Sequence, residues 1–238
     1  MIYDGFDFSD LLKVETPIGR SILPPIEASG DSFSGMPGQS LSAVGMDSLE
    51  LTVPVRIIAP FKGDAEQKMG FEHLRRVIAG HLWKSSPRPL VLDDAPDVYY
   101  MAVLSGSTEL ERFRYTGGAN LVFLCTDPVA YGKRHVKSGS PNEELSVRVG
   151  GTWTAFPNFE FDVEGYGMPS VTFDGAAFNM YGHSNGGPVT VNSAERYAEQ
   201  DGEAVTVDIL SDYPQWEPGV HTVVSSTPFT VEWNDRWL

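Results

Sequence analysis

The chain has 238 residues, with 17 basic against 32 acidic side chains and a formal charge of −15. That balance excludes the usual polyanion-wrapping nucleic-acid binder, which needs clustered Lys and Arg, and no apolar run reaches the ~18 to 20 residues of a membrane span. A hydrophobic share of 41% and a charged share of 21% belong to a folded globular protein.

In chain order, the acidic and aromatic opening Met1 to Asp10 does not read as a secretory signal. Residues from Ser29 to Asp47 are rich in Gly, Ser and Pro, which predicts a projecting hairpin or arm over about 29–47. Leu49, Leu51, Val53, Val55 and Ile57 then alternate with Glu50, Thr52, Pro54 and Arg56. This is the clearest period-2 strand signal in the chain. Pro54 has no N–H for a ladder, which predicts that the strand is an edge or exposes that position.

One helix follows. Asp64-Ala-Glu-Gln67 has the capping-box pattern. Phe71, Leu74, Ile78 and Leu82 recur at spacings of three and four as a single apolar stripe. Glu72 and Arg76 are spaced as an i,i+4 pair, and Pro87 with Pro89 closes the segment. Val98 to Leu104 reads as a strand apolar on both faces, and Gly117-Gly118 as the turn into the next one. Cys125, the single cysteine, ends the apolar run Ala119-Asn-Leu-Val-Phe-Leu-Cys125 and reads as a small packed thiol.

Charge then changes along the chain. Residues 1–138 carry 14 basic and 17 acidic side chains, whereas residues 139–238 carry 3 and 15 and no lysine. Between them, Lys137-Ser-Gly-Ser-Pro-Asn-Glu143 has the composition of a linker. The expected organisation is therefore two domains, 1–138 and 139–238, in a mainly β (α+β) chain. In the second, Phe159, Phe161 and Val163 alternate with acidic residues, and Val205, Val207 and Ile209 alternate with Thr206 and Asp208. Phe229, Val231 and Trp233 repeat the pattern, as expected of an antiparallel sandwich.

Chemistry is harder to find. His73, His81, His135, His183 and His221 are scattered with no metal-ligand spacing, and no cofactor, metal or catalytic residue is assigned. Asp93-Asp94 and Asp97 flank Ala95-Pro96 in what reads as a turn between strands rather than a catalytic pair. Tyr115-Thr-Gly-Gly118 and Ser184-Asn-Gly-Gly187 read as hairpin turns rather than phosphate cradles. Aromatic residues are the better lead: Trp153, Tyr166, Trp216, Trp233 and Trp237 all fall in the second half. Trp153 and Trp216 are the candidate glycan-stacking residues, with burial in the sandwich core as the competing role, and Trp233 shares the face of Phe229 and Val231.

These residues, in this order, resemble the distal tail proteins (Dit) of long, flexible-tailed bacteriophages. Phe6-Asp-Phe-Ser-Asp-Leu-Leu12 with Val14 is similar to the family's first strand and turn. Leu82-Trp83, Pro89-Leu-Val-Leu-Asp93 and Pro96-Asp-Val-Tyr-Tyr-Met-Ala-Val103 follow its middle. Val122-Phe-Leu-Cys-Thr-Asp-Pro128 with Tyr131-Gly132 is the most recognisable stretch. Gly151-Thr-Trp-Thr-Ala-Phe-Pro157, Asp212-Tyr-Pro-Gln-Trp-Glu-Pro-Gly219 and Arg236-Trp-Leu238 extend the resemblance over nearly the whole chain.

The resemblance implies an N-terminal tail-tube-like β-barrel or sandwich with one helix, and a C-terminal galectin-like β-sandwich (jelly-roll). It implies a non-enzymatic virion protein, assembled in the host cytoplasm, forming a homo-hexameric ring at the end of the tail tube. Implied partners are other copies of itself, the major tail tube protein, the tape measure protein and tail-associated hub or receptor-binding proteins. DNA would pass through the lumen without specific binding, and no membrane is involved. The alternative is a carbohydrate-binding adhesion module that recognises host cell-wall glycans through the galectin-like domain. Larger members carry inserted carbohydrate-binding modules, for which this chain has no room.

Overall fold

The computed structural model describes every residue except Pro17, Phe33, Met36, 58–63, 107–109, 113–116, Tyr166 and 183–185, and the side chains of 64–69, 71, 110–112 and 117. The described chain is mainly β with one helix and divides into two compact units, Met1–Ala130 and Tyr131–Leu238. The division precedes the Gly/Ser/Pro stretch expected to hold it, because Lys137 to Gly139 complete a strand and Pro141 and Asn142 make a turn.

The first unit contains β1 (Ile2–Tyr3), β2 (Phe6–Asp7), β3 (Leu12–Val14), β4 (Ile26–Asp31), β5 (Ser40–Met46), β6 (Leu49–Ile57), α1 (Asp64–Leu82), β7 (Arg88–Leu92), β8 (Ala95–Ser105), β9 (Leu110–Arg112) and β10 (Gly117–Cys125). Its main sheet is antiparallel in the order β2-β1-β7-β8-β10-β6-β3, with β9 also on β10. Leu49, Leu51, Val53, Val55 and Ile57 are all buried, as period-2 alternation requires. Leu74, Ile78 and Leu82 of α1 join their cluster. The capping-box residues Asp64 and Gln67 and the Phe71 side chain lie outside the described residues. The surface pair on α1 is Glu72 with Arg75, at 3.1 Å, one residue short of the expected Arg76.

Strand β6 is not an edge. It lies between β10 and β3, but β3 pairs only as far as Val14, so of the two expectations built on Pro54 the second holds: its donor-less side is left without a ladder partner. Val14 pairs with Val55, and the Glu15 amide then donates to the Pro54 carbonyl at 2.8 Å. The reciprocal bond has no donor, so the ladder ends there. Gly117 and Gly118 are likewise not a turn but the first residues of β10, opposite Ile57 and Arg56.

The second unit contains β11 (Ala130–Gly139), β12 (Leu145–Val149), β13 (Asn158–Val163), β14 (Val171–Phe173), β15 (Ala176–Phe178), β16 (Met180–Tyr181), β17 (Gly187–Asn192), β18 (Tyr197–Gln200), β19 (Glu203–Ala204), β20 (Thr206–Val207), β21 (Gly219–Ser225) and β22 (Phe229–Trp237). Two antiparallel layers, β19-β18-β17-β13-β22-β11 and β12-β21-β14-β15, form a sandwich, with β16 and β20 as a separate pair. Phe159, Phe161, Val189, Val191, Phe229, Val231 and Trp233 from one layer share a core with Val147, Val149, Phe173 and Val223 from the other.

Asp-Gly dipeptides close hairpins in both units. Asp4-Gly5, Asp174-Gly175 and Asp201-Gly202 each take positive φ at both residues and join strands whose ends pair directly. This is the primed turn that matches strand twist.

Gly151 has a stricter task. Its φ is +90°, and a Cβ there would meet the Arg236 carbonyl oxygen at 2.1 Å. That oxygen accepts the amides of Thr152 and Trp153, fixing the end of β22. Gly175, at φ +81°, has open space around it. Gly175→Ala is therefore expected to cost about 1 kcal/mol from backbone strain alone. Gly151→Ala should cost about 3 kcal/mol, because strain and overlap combine. Urea denaturation of the two variants checks this, and equal midpoints would refute the assigned contact.

Candidate functional site

Residues with reactive side chains are occupied by structural work. Cys125 is fully buried, and burial, helped by the Asp127 charge, pushes its thiol up to about 12. Asp93 and Asp94 form the tight turn between β7 and β8, where Leu92 pairs with Ala95, and Arg20 donates to Asp94 at 2.6 Å. His81 stacks on Phe6 at 3.7 Å between ring centres. His135 stacks on Trp233 and bonds the Asp235 carboxylate at 2.8 Å. His221 stacks on Trp216 and bonds Asp174, also at 2.8 Å. His73 is exposed on α1, and His183 lies outside the described residues. Among the described residues no group of three or more His, Cys, Asp or Glu is placed to hold a metal ion.

The tryptophans divide by burial. Trp216 is 1% exposed, edge-on to Phe159 and Trp233 at the centre of the second core. Its ring has no solvent face on which a sugar could stack. Trp153 is half-buried and bridges to Arg236, whose guanidinium lies over the rings of Tyr131 and Phe156. Trp237 is exposed at the end of β22, and Tyr166 lies outside the described residues.

Surfaces are the informative part of this molecule. β4 and β5 pair only with each other, from Ile26 opposite Met46 to Asp31 opposite Ser40, with an irregularity after Ser29. Nearly every residue of the hairpin is exposed, including Ile26, Leu41 and Val44. A two-stranded ribbon with no core beneath it is marginal in water. The described residues leave it uncovered.

The second unit carries two concave regions. One, of about 830 Å³, lies beside the segment 207–216 and includes Asp174, Arg196, Asp208 and Trp216 in its wall. Ile209 and Leu210 stand in the same wall and are almost wholly exposed. The alternation of Val205, Val207 and Ile209 predicts a strand through Ile209, but β20 ends at Val207 and a turn follows. The other, of about 490 Å³, crosses the outer face of β13, β17, β18 and β22 and is lined by polar side chains such as Asn158, Glu160, Asn192 and Tyr197.

Comparison with known proteins agrees with this architecture. Residues 6–125 match the phage tail protein RIFT-related domain family. The distal tail protein of Bacillus phage SPP1 is 23% identical over 248 residues, spanning 100% of this chain and 95% of that protein. The crystal structure of SPP1 Dit, described there as a paradigm of the hub adsorption apparatus in phages infecting Gram-positive hosts, superposes with a TM-score of 0.74. It is 17% identical and covers 100% of this chain and 98% of its own. A chain of the phage P2 baseplate in its activated conformation aligns at a TM-score of 0.45 and 8% identity over 94% of this chain and 91% of its own, too loosely to carry an argument.

The buried thiol gives a direct check on this placement of side chains. With its pKa near 12 and no exposure, Cys125 should not react with Ellman's reagent at pH 8 in the native protein. Reaction should begin only as denaturant unfolds the first unit, and rapid labelling of native protein would contradict the burial. The match over residues 6–125 spans half of the chain and runs through the strands of the first unit, so the chain belongs to the phage tail protein RIFT-related domain family.

Proposed function

We propose that the chain is a distal tail protein: a non-enzymatic virion component that forms a ring at the end of the tail tube and serves as hub for the tail tip or baseplate. Family membership and the end-to-end likeness to SPP1 Dit support the tail-tip role. The observation that carries the assembly reading is the solitary β4–β5 hairpin, whose exposed aliphatics require a partner surface.

On this reading the first unit is the tail-tube-like, ring-forming domain, six copies close the ring, and each hairpin lies on its neighbour. The second unit is the galectin-like sandwich, displayed outside. Charge supports that division, because residues 131–238 hold 6 basic and 15 acidic side chains, and six such units packed round an axis would repel. Tube, tape-measure and receptor-binding proteins are the neighbours, and DNA crosses the lumen without specific binding.

Carbohydrate binding by the second unit is the second reading. What favours it is the polar groove on the outer face of β13, β17, β18 and β22, where Tyr197 stands beside Asn192 and Asn158. Trp216 does not contribute to that face. A glycan array with the host's wall sugars tests this reading.

Replacing residues 27–45 with a Gly-Gly turn tests the assembly reading. The short turn joins Ile26 to Met46, which already face each other. Mass photometry should show the parent as a ring of about six subunits and the variant as monomer, with an unchanged circular dichroism spectrum. A variant ring of parental mass would remove the hairpin from the interface.

A further inference from the structure

Ile209 and Leu210 are 97% and 88% exposed, the most prominent pair of adjacent large aliphatics among the described residues. Isolated exposed aliphatics are ordinary, but an adjacent pair on a fixed turn is not. The turn is held from both sides. The Asp208 carboxylate accepts the Leu210 amide at 3.0 Å and the Tyr181 hydroxyl at 2.7 Å. The Asp208 carbonyl accepts the Ser211 amide, and the Asp208 amide donates to Asn179. The buried Ser211 hydroxyl then accepts the Asn179 amide at 2.9 Å. Both hydrogen bonds to the Asp208 carboxylate favour its ionised form and hold its pKa below the usual range, so the anchor stays charged at neutral pH.

A rigid apolar knob loses little conformational entropy when it docks, which is the property of an interface anchor. Its surroundings state the partner's charge. Asp174, Asp208 and Asp212 line the same 830 Å³ concavity against the single cation Arg196. A second copy meeting this patch with its own would set those aspartates against each other, on a chain that already carries −15.

We propose that the Ile209–Leu210 knob and its acidic cleft form a docking site for a different protein of the tail, one presenting an apolar pocket rimmed by Lys or Arg. The proposal rests on the tail-tip reading above for its setting. The knob fills the partner's pocket, and the aspartates around it pair with the partner's cations and exclude acidic surfaces.

Hydroxyl-radical footprinting tests the site on the assembled material. The purified chain in its own oligomer is compared with intact tails of the parent phage, and oxidation is read at residues 209 and 210. Protection of about tenfold in tails, with full reactivity in the isolated oligomer, is the expected result. Equal reactivity in both specimens would overturn the site, and protection already present in the isolated oligomer would assign the patch to a second copy. Absence of the chain from purified tails would instead refute the tail-tip reading together with the proposal. Two variants test the chemistry in the phage: Ile209→Ser with Leu210→Ser, and separately Asp212→Lys. Both lie on the surface, both should leave the oligomer's mass unchanged, and each should lower infectious yield about tenfold. Parental yield from the first would overturn the apolar anchor, and parental yield from Asp212→Lys would overturn the basic partner.

Discussion

The first unit depends on the ladder between β6 and β10. Nine consecutive pairs run without interruption from Leu49 opposite Cys125 to Ile57 opposite Gly117. A slip of one residue would turn Leu49, Leu51, Val53, Val55 and Ile57 outward together, so the burial of that face fixes the register. Everything else in the unit is hung on it. β3 joins on one side until Pro54 ends its pairing, β8 joins on the other, and α1 covers the buried face with Leu74, Ile78 and Leu82. The hairpin joins this ladder through Asp47 and Ser48, because β5 ends at Met46 and β6 begins at Leu49.

The second unit solves the same problem with a sandwich and a set of anchored ends. Trp216 meets Phe159 and Trp233 edge-on, and His221 stacked on it reaches the Asp174 of an Asp-Gly turn. Asp174 also accepts the Thr222 amide, so one turn carboxylate ties β14 to β21. Asp235 ties the other end, bonding His135 and the Gly150 amide. Such bonds spend polar side chains on geometry, at Asp174, Asp235, His135 and His221. What is left over for recognition is the shape and charge of the rims.

How much of this was legible in the sequence depends on the range of the interaction. Period-2 strands such as Leu49–Ile57, Asn158–Val163 and Phe229–Trp233 are local signals, and each reads correctly because alternation is decided by which face is buried. The arm expected over about 29–47 was legible from its Gly, Ser and Pro content rather than from alternation, and the paired hairpin found there runs from Ile26 to Met46. Pro54 read correctly in its weaker form, because a missing donor constrains one side of one residue, where β3 stops, without making the whole strand an edge. Ile209 misled. Its alternation with Val205 and Val207 is genuine, but Asp208 captures the Leu210 amide and the strand ends two residues earlier, at Val207, a competition between side chain and ladder that periodicity does not weigh. The Asp-Gly dipeptides at Asp4, Asp174 and Asp201 were the available signal for three hairpins, whereas the burial of Trp216 depends on partners far away in sequence.

Charge and exposure together suggest why the two units carry different kinds of surface. Residues 1–130 hold 11 basic and 17 acidic side chains, and both units are net acidic. Copies brought within the ~8 to 10 Å Debye length repel unless apolar contact outweighs it. On the proposed reading that contact comes from the hairpin, where Ile26, Leu41 and Val44 lie on a ribbon with Glu27 and Asp31 towards its two ends. A contact between copies of a net acidic chain gains most from apolar area, because that area adds no like charge. The knob at Ile209 obeys the opposite rule. Its rim concentrates acid where a copy would be refused and a basic partner accepted. On the proposed reading one chain separates the contact that closes a ring from the contact that recruits something else, by where it leaves aliphatic side chains uncovered and how much acid it places beside them.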